Sequence, residues 1–490
     1  MGRQTNSAPE FPSDLLVDID DGGGGGVRLR LEEALRSGIQ AGRLMPGAAL
    51  PPTRVLAAEL GLSRSVVVEA YANLRTDGYL EARIGSGTRV RPEADSGRPT
   101  TEGRGRAPRA RAGRGFRPPR RPHPADDAPA IRLLAGLPDP ALFPRSRWLR
   151  HYRAALAGVP DPELTYPRML GAPALRRAMT AYLGRVRGVS TMPERMLVCS
   201  GFTQGLTLVC RALRRRGGRR LAVEDPCFGL HRDAVAMAGL EPVPVPVDDH
   251  GLDPRALPEA QIAGVLVAPA HSYPTGGTLD ADRRQALIAW ARRTDAVVIE
   301  DDYDAEFRYD HHPVGAIQGL APDHVAYIGC ASKTVTPALR LGWLAAPPGL
   351  VDELEQEKLY DDMGSTLIDQ LAFARFVESG DFARHLRRVR PIYRRRRDAA
   401  IEALATHLPE ARRRGEAAGL HLHVMLPADV DELELAAAAY ARGVLVEDGA
   451  WHWAHPENAP PSIVLGYGAT PEPAIRRGIA TLAEAIDAAR

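Results

Sequence analysis

Lys333 lies in the stretch ASKTVTPALRLGW, residues 331 to 343, and is one of only two lysines in a 490-residue chain that otherwise writes its positive charge as arginine. A lysine amine that sheds its proton in a dry pocket can condense with an aldehyde, whereas a guanidinium stays protonated and cannot. The other lysine, Lys358, stands in the charge-rich helical pattern VDELEQEKLYDDM and reads as a solvated side chain. Upstream of Lys333, an apolar run ends in Glu300-Asp301-Asp302-Tyr303-Asp304. A carboxylate there could keep the nitrogen of a pyridine ring protonated, so that the ring withdraws electrons. In SGFTQGLTLVCRAL, residues 200 to 213, a glycine turn precedes a helical pattern. Amides at such a helix start, with Arg340 just beyond Lys333, suit a phosphate. An aldehyde, a pyridine nitrogen and a phosphate on one molecule describe pyridoxal 5'-phosphate (PLP).

Elements able to hold these residues follow from the hydropathy pattern. LAVEDP (221 to 226), AGVLVAPA (263 to 270), AVVIEDDY (296 to 303) and HVAYIGCAS (324 to 332) read as buried strands with polar tails. Amphipathic segments such as PALRRAMTAYLGRVRG (173 to 188) lie before and between them. Strands alternating with helices predict an α/β domain on a mostly parallel sheet, with its ligand beyond the carboxyl ends of the strands. The tails EDP, PAH, EDDYD and ASK would then line one site.

The chain is long enough for two or three domains. Its net charge of +2 names no partner, but residues 103 to 124 hold eight arginines and no acid. Such a segment cannot bury a core, and serves as a tether or adds nonspecific DNA contacts. Cys199, Cys210, Cys227 and Cys330 show neither metal spacing nor a small disulfide framework, which predicts no metal and a reducing cytoplasm. No apolar run reaches membrane-spanning length. The expected organisation is a flexible tail at 1–26, a DNA-binding domain at 27–92, a basic Pro/Gly/Arg-rich linker at 93–130 and a large domain at 131–490, with a smaller α+β subdomain from about 375. In the first domain, LRLEEALRSGIQA reads as a helix, and VLAAELG followed by SRSVVVEAYANLRTDGYL as helix, turn, helix. Gly61 ends the one and Ser63 caps the other. EARIGSGTRVRP adds two short strands, completing a winged helix-turn-helix whose second helix enters the major groove.

The wording LPPTRVLAAELGLSRSVVVEAYANLRTDGYLEARIGSGTRV resembles a GntR-type winged helix. That resemblance implies that Arg54, Ser63, Arg64 and Ser65 meet double-stranded operator DNA and that Gly85, Gly87 and Thr88 form the wing tip. Pro52 departs from it, standing where the family usually has serine. The order SGFTQGL, EDPCFG, PAHSYPTGG, EDDYDAEFRYD, GCASKTVTPALRLGW resembles a fold-type I aminotransferase. Together the two halves resemble the MocR/GabR family of bacterial transcription regulators. The likeness implies that Lys333 carries PLP as a Schiff base and that Asp301 pairs with the ring nitrogen, although Glu300 and Asp302 leave that register open by one. Tyr303 would meet the ring hydroxyl and Phe228 the ring face. Gly201, Phe202, Thr203, Ser332 and Arg340 would surround the phosphate. Tyr166 would reach the phosphate site of the partner subunit in a homodimer.

Three departures weaken transamination more than cofactor binding. Val464 in SIVLGYGA stands where many aminotransferases place a carboxylate-binding arginine, Tyr273 precedes Pro274-Thr275-Gly276 in place of asparagine, and Cys330 replaces a hydroxyl residue. His231, Arg232 or His452 would have to anchor an amino-acid effector. The resulting expectation is a cytoplasmic regulator, not an enzyme, that senses an amine, an amino acid or PLP. The alternatives are an active aminotransferase carrying a DNA-binding module, and a regulator of vitamin B6 supply that responds to PLP alone.

Overall fold

The computed structural model describes residues 27–40, 43–77, 79–83, 87–91, 130–309, 314–415, 418–487 and 489. The expected tail at 1–26, all but the last residue of the expected linker at 93–130, and Gly85 lie outside the described residues. The chain divides into two compact units, Met1–Phe116 and Arg117–Arg490.

In the smaller unit, helices Val27–Gln40, Thr53–Glu59 and Arg64–Thr76 precede an antiparallel pair of strands, Leu80–Arg83 and Gly87–Val90. Leu31, Leu35, Leu56, Val67, Leu74 and Val90 form its core, at helical spacing in the first and third helices. Tyr71 spends its hydroxyl on the Pro51 carbonyl, 3.0 Å away, tying the third helix to the segment before the second. Gly61 takes a left-handed conformation at φ +63°, where the turn needs it. Ser63 occupies the N-cap of the third helix without a capping hydrogen bond. Its hydroxyl pairs instead with Ser65 at 2.9 Å.

The larger unit is built on an eight-stranded sheet. In spatial order its strands are Met196–Cys199, Gly342–Ala345, Val325–Cys330, Val297–Asp302, Gly264–Val267, Arg220–Asp225, Glu241–Asp248 and Gly251–Leu252. The five from Val325–Cys330 to Glu241–Asp248 run parallel, and Gly342–Ala345 is antiparallel to both its neighbours. A second, antiparallel sheet holds Arg412–Arg414, His421–Met425, Ser462–Gly466 and Glu447–Asp448. Among the described residues no helix is long and apolar enough to cross a membrane.

Helix Val351–Asp362 corrects one expectation. Lys358 is not solvated; it is fully buried. Its ammonium donates to Gln204 Oε1 at 3.1 Å, to Ser365 Oγ at 2.9 Å and to Asp362 Oδ2. A buried cation survives only when paired and hydrogen-bonded, and these three acceptors meet that condition.

Candidate functional site

At the carboxyl ends of the parallel strands lies a cavity of about 240 Å³, near the lower end of small-molecule sites. Of the ten residues assigned to the cofactor in the sequence, eight line it: Phe202, Thr203, Phe228, Asp301, Tyr303, Ser332, Lys333 and Arg340. Gly201 stands beside it at the start of helix Phe202–Arg215. Tyr166, 77% exposed, lies outside this cavity.

Strand alternation places Asp301 on the face opposite Glu300 and Asp302. Successive side chains of Val297–Asp302 point to opposite faces. Glu300 accepts from the Ile317 and Gln318 amides, both at 2.9 Å. Asp302 accepts from Arg187 Nε at 2.7 Å and from the Tyr327 hydroxyl at 2.6 Å. Asp301, between them, faces the cavity, and its buried Oδ1 has no hydrogen-bond partner. Burial, reinforced by Asp302 and Asp304, pushes its carboxyl well above the usual range, with Lys333 acting the other way.

Lys333 follows strand Val325–Cys330 on a single helical turn, Ala331–Thr334. Its Nζ donates to the Gly136 carbonyl at 2.7 Å. Gly136 is left-handed at φ +71°, and a Cβ there would come within 2.8 Å of that Nζ. Facing it, the turn before helix Phe202–Arg215 sets Gly201 against Arg340. Gly201 has φ +102° and ψ 179°, a conformation essentially restricted to glycine. A Cβ on it would lie 3.0 Å from Arg340 Nη2. Arg340, itself left-handed at φ 47°, donates through Nη2 to the Ser200 carbonyl.

His231 and Tyr273 also line it. The His231 ring lies 4.7 Å from that of Phe202 and 5.2 Å from that of Phe228, with Nδ1 3.9 Å from Asp301 Oδ2. Burial, with Lys333 and Arg232 nearby, pushes its imidazole down to about 3, so it is neutral. Of the three side chains considered as effector anchors, only His231 reaches the cavity. Arg232 is spent on the carbonyls of Trp451, His452 and Trp453, and His452 is fully buried away from the lining. Burial raises the Cys330 thiol, with Ser332 opposing, so it lines the cavity as a protonated group.

Behind Tyr303, His271 Nδ1 lies 3.0 Å from the Tyr303 hydroxyl and 3.0 Å from Asp304 Oδ2. His421 donates through Nε2 to the Pro274 carbonyl at 3.1 Å. Among the described residues His271, Asp304 and His421 form the one group with metal-ligand spacing, their ligand atoms all within 4.8 Å of one another. Cysteine spacing could not have indicated it. The hydrogen bonds of His271 and Asp304 make that pair a support for Tyr303, whereas His421 is spent on Pro274. Gly136 was equally hidden, because it arrives from a segment far away in sequence.

Comparison with known proteins bears on both units. Residues 147–450 match the aminotransferase class I and II family, and residues 28–90 match the gntR family of bacterial regulatory proteins. The chain is 33% identical to the HTH-type pyridoxine biosynthesis transcriptional regulator PdxR of Corynebacterium glutamicum, over 97% of this chain and 99% of that one. It is 32% identical to the probable rhizopine catabolism regulatory protein MocR of Rhizobium meliloti, over 93% of each. The crystal structure of Pyrococcus horikoshii kynurenine aminotransferase superimposes with a TM-score of 0.67 and 28% identity, covering 73% of this chain and 90% of that one.

Proposed function

The chain belongs to the MocR/PdxR-type transcriptional regulators, which join a gntR-type domain to an aminotransferase class I and II domain, and on that premise we propose that it regulates transcription through PLP. An amine, an amino acid or PLP itself engages the Lys333 site and changes how the winged helix binds its operator. One observation carries this reading: an amine at Lys333, an orphaned buried acid at Asp301 and an anion-shaped turn at Gly201 and Arg340 face one cavity. Bound there, PLP supplies an aldehyde that bonds reversibly to amines and a ring that withdraws electrons.

The residues divide the work. Lys333 holds the aldehyde carbon, and Asp301 Oδ1 accepts from the ring nitrogen. Tyr303 meets the ring hydroxyl, with His271 and Asp304 holding it from behind, and Phe228 covers a ring face. Gly201, Phe202, Thr203, Ser332 and Arg340 enclose the phosphate, and Tyr166 serves the partner subunit in a homodimer. In the smaller unit, Arg54, Ser63, Arg64 and Ser65, all exposed, meet the DNA, with Gly87 and Thr88 on the wing strand.

The Lys333–Gly136 hydrogen bond suggests how occupancy is transmitted. A free ammonium has three donors, whereas a covalently engaged nitrogen keeps at most one. An effector amine taking the aldehyde in place of Lys333 would leave the lysine free to donate to Gly136, in the segment that follows the linker in sequence. The two states differ in a named contact, as a ligand-driven shift requires. Operator affinity measured with and without PLP, and with added amines, tests this. The wild type is expected to respond, and Lys333→Ala to bind DNA equally well in all conditions. A wild type that ignores PLP and amines would sink the sensing role.

The 33% identity to a pyridoxine biosynthesis regulator over nearly the whole chain favours PLP itself as the signal. So does Val464, fully buried between His423 and Glu447, where no arginine is available for an effector carboxylate. Gly201→Ala would force a strained φ and crowd Arg340; it is expected to weaken PLP binding by about tenfold, from about 1–3 kcal/mol of strain. Absorbance titration reads this, and an unchanged affinity would remove the phosphate from this turn.

A further inference from the structure

Both lysines of this arginine-rich chain act at the same end of the fold. Lys333 faces the cavity, while Lys358 braces the turn opposite it. Gln204 Oε1, which accepts from Lys358, also accepts from the Ser200 amide at 2.7 Å. The Ser200 carbonyl in turn accepts from Arg340. Both backbone groups of Ser200, immediately before Gly201, are therefore held, one through Gln204 and Lys358 and the other by Arg340. The orientation of the Gln204 amide is fixed as well, because Nε2 donates to Asp361 at 2.7 Å and Asp362 at 2.8 Å.

Charge gives the arrangement its purpose. Asp361 and Asp362 both contact Gln204, one residue past the turn's Thr203, where a phosphate would meet repulsion. Arg211 offsets Asp361 at 2.7 Å, and buried Lys358 offsets Asp362. Burial raises the Asp362 carboxyl, but hydrogen bonds from Gln204 and Lys358 outweigh it, so the group stays below its ordinary value and ionised. The three acceptors around Nζ come from three side chains, a set that suits a compact ammonium with three rotatable donors. An arginine would bring a planar fork of donors to this set in place of a point charge.

We propose that Lys358 is a positioning residue that, through Gln204, sets the Ser200–Gly201 turn and so the preference of the site for phosphorylated over unphosphorylated pyridoxal. This rests on the cofactor reading above. The test is absorbance titration of the full-length protein with PLP and, separately, with pyridoxal. The wild type should prefer PLP strongly. Lys358→Met keeps the stem and removes the ammonium; Gln204→Leu cuts the link to the turn and leaves Lys358 paired with Asp362. Each is expected to narrow the PLP-to-pyridoxal preference by about tenfold, with pyridoxal affinity nearly unchanged. If Lys358→Met does not fold, Gln204→Leu decides alone. A variant that weakens both aldehydes equally has only lost stability, and overturns the assignment of Lys358. A wild type without preference for PLP overturns the phosphate site itself, and this inference with it.

Discussion

Asp301→Ala is expected to lower PLP affinity by about a hundredfold while leaving the empty protein no less stable. The two halves of this expectation have one cause. In the empty cavity Asp301 is a liability, because its Oδ1 is buried without a partner and its carboxyl is raised by burial and by Asp302 and Asp304. An unsatisfied buried polar atom costs about 1–3 kcal/mol, so deleting it spares that cost. A ring nitrogen donating to Oδ1 would turn the liability into a buried ion pair, and truncating one partner of such a pair costs about 2–5 kcal/mol. At about 1.4 kcal/mol per tenfold, about 2.8 kcal/mol within that range is a hundredfold. Glu300 and Asp302 cannot take over, since both point to the other face and are already engaged. Titration calorimetry with PLP and thermal melting of the empty protein measure the two halves. Unchanged PLP affinity would show that Asp301 is not the ring partner.

Arg64→Ala is expected to weaken operator binding by about tenfold to a hundredfold and to lower the salt dependence by about one counterion. Arg64 is the first residue of helix Arg64–Thr76, which has no acid in its first turn. Orphan amides and the positive end of the helix dipole favour an anion at that point, so an arginine there does nothing for the helix alone. Exposed, and flanked by the Ser63 and Ser65 hydroxyls, it completes a surface that a DNA phosphate or guanine edge would satisfy. Folding stability should be unaffected. Fluorescence anisotropy at several salt concentrations separates the affinity from its salt slope, and unchanged values would move the recognition surface elsewhere.

The residues differ in how openly the sequence displays them. Lys333, Tyr303 and Arg340 stand in short motifs whose spacing suits one ligand, and the structure gathers them because strand ends in a parallel sheet converge. The glycine turn at Gly201 was legible for the same local reason. Among three consecutive acids the sequence could not show which faces the cavity; the partners of Glu300 and Asp302 put both on the other face and leave Asp301 to line it. Lys358 was misread because a helical charge pattern shows spacing along one helix but not what packs against it; Gln204 is 154 residues away. Arg232 looked available, but its acceptors are backbone carbonyls of Trp451 to Trp453, which leave no signal in side-chain types. Gly136 reaches Lys333 across 197 residues. Long-range neighbours of this kind come from the topology of the fold.

The central claim is that Lys333 holds PLP. The most direct measurement is the visible absorption spectrum of the purified protein titrated with PLP, beside that of Lys333→Ala. A yellow band of lysine-bound PLP that saturates in the wild type and is absent from the variant is the expected result. The same band in both would place the cofactor on another amine, and no band in either would leave a winged-helix protein whose aminotransferase-like unit binds no cofactor.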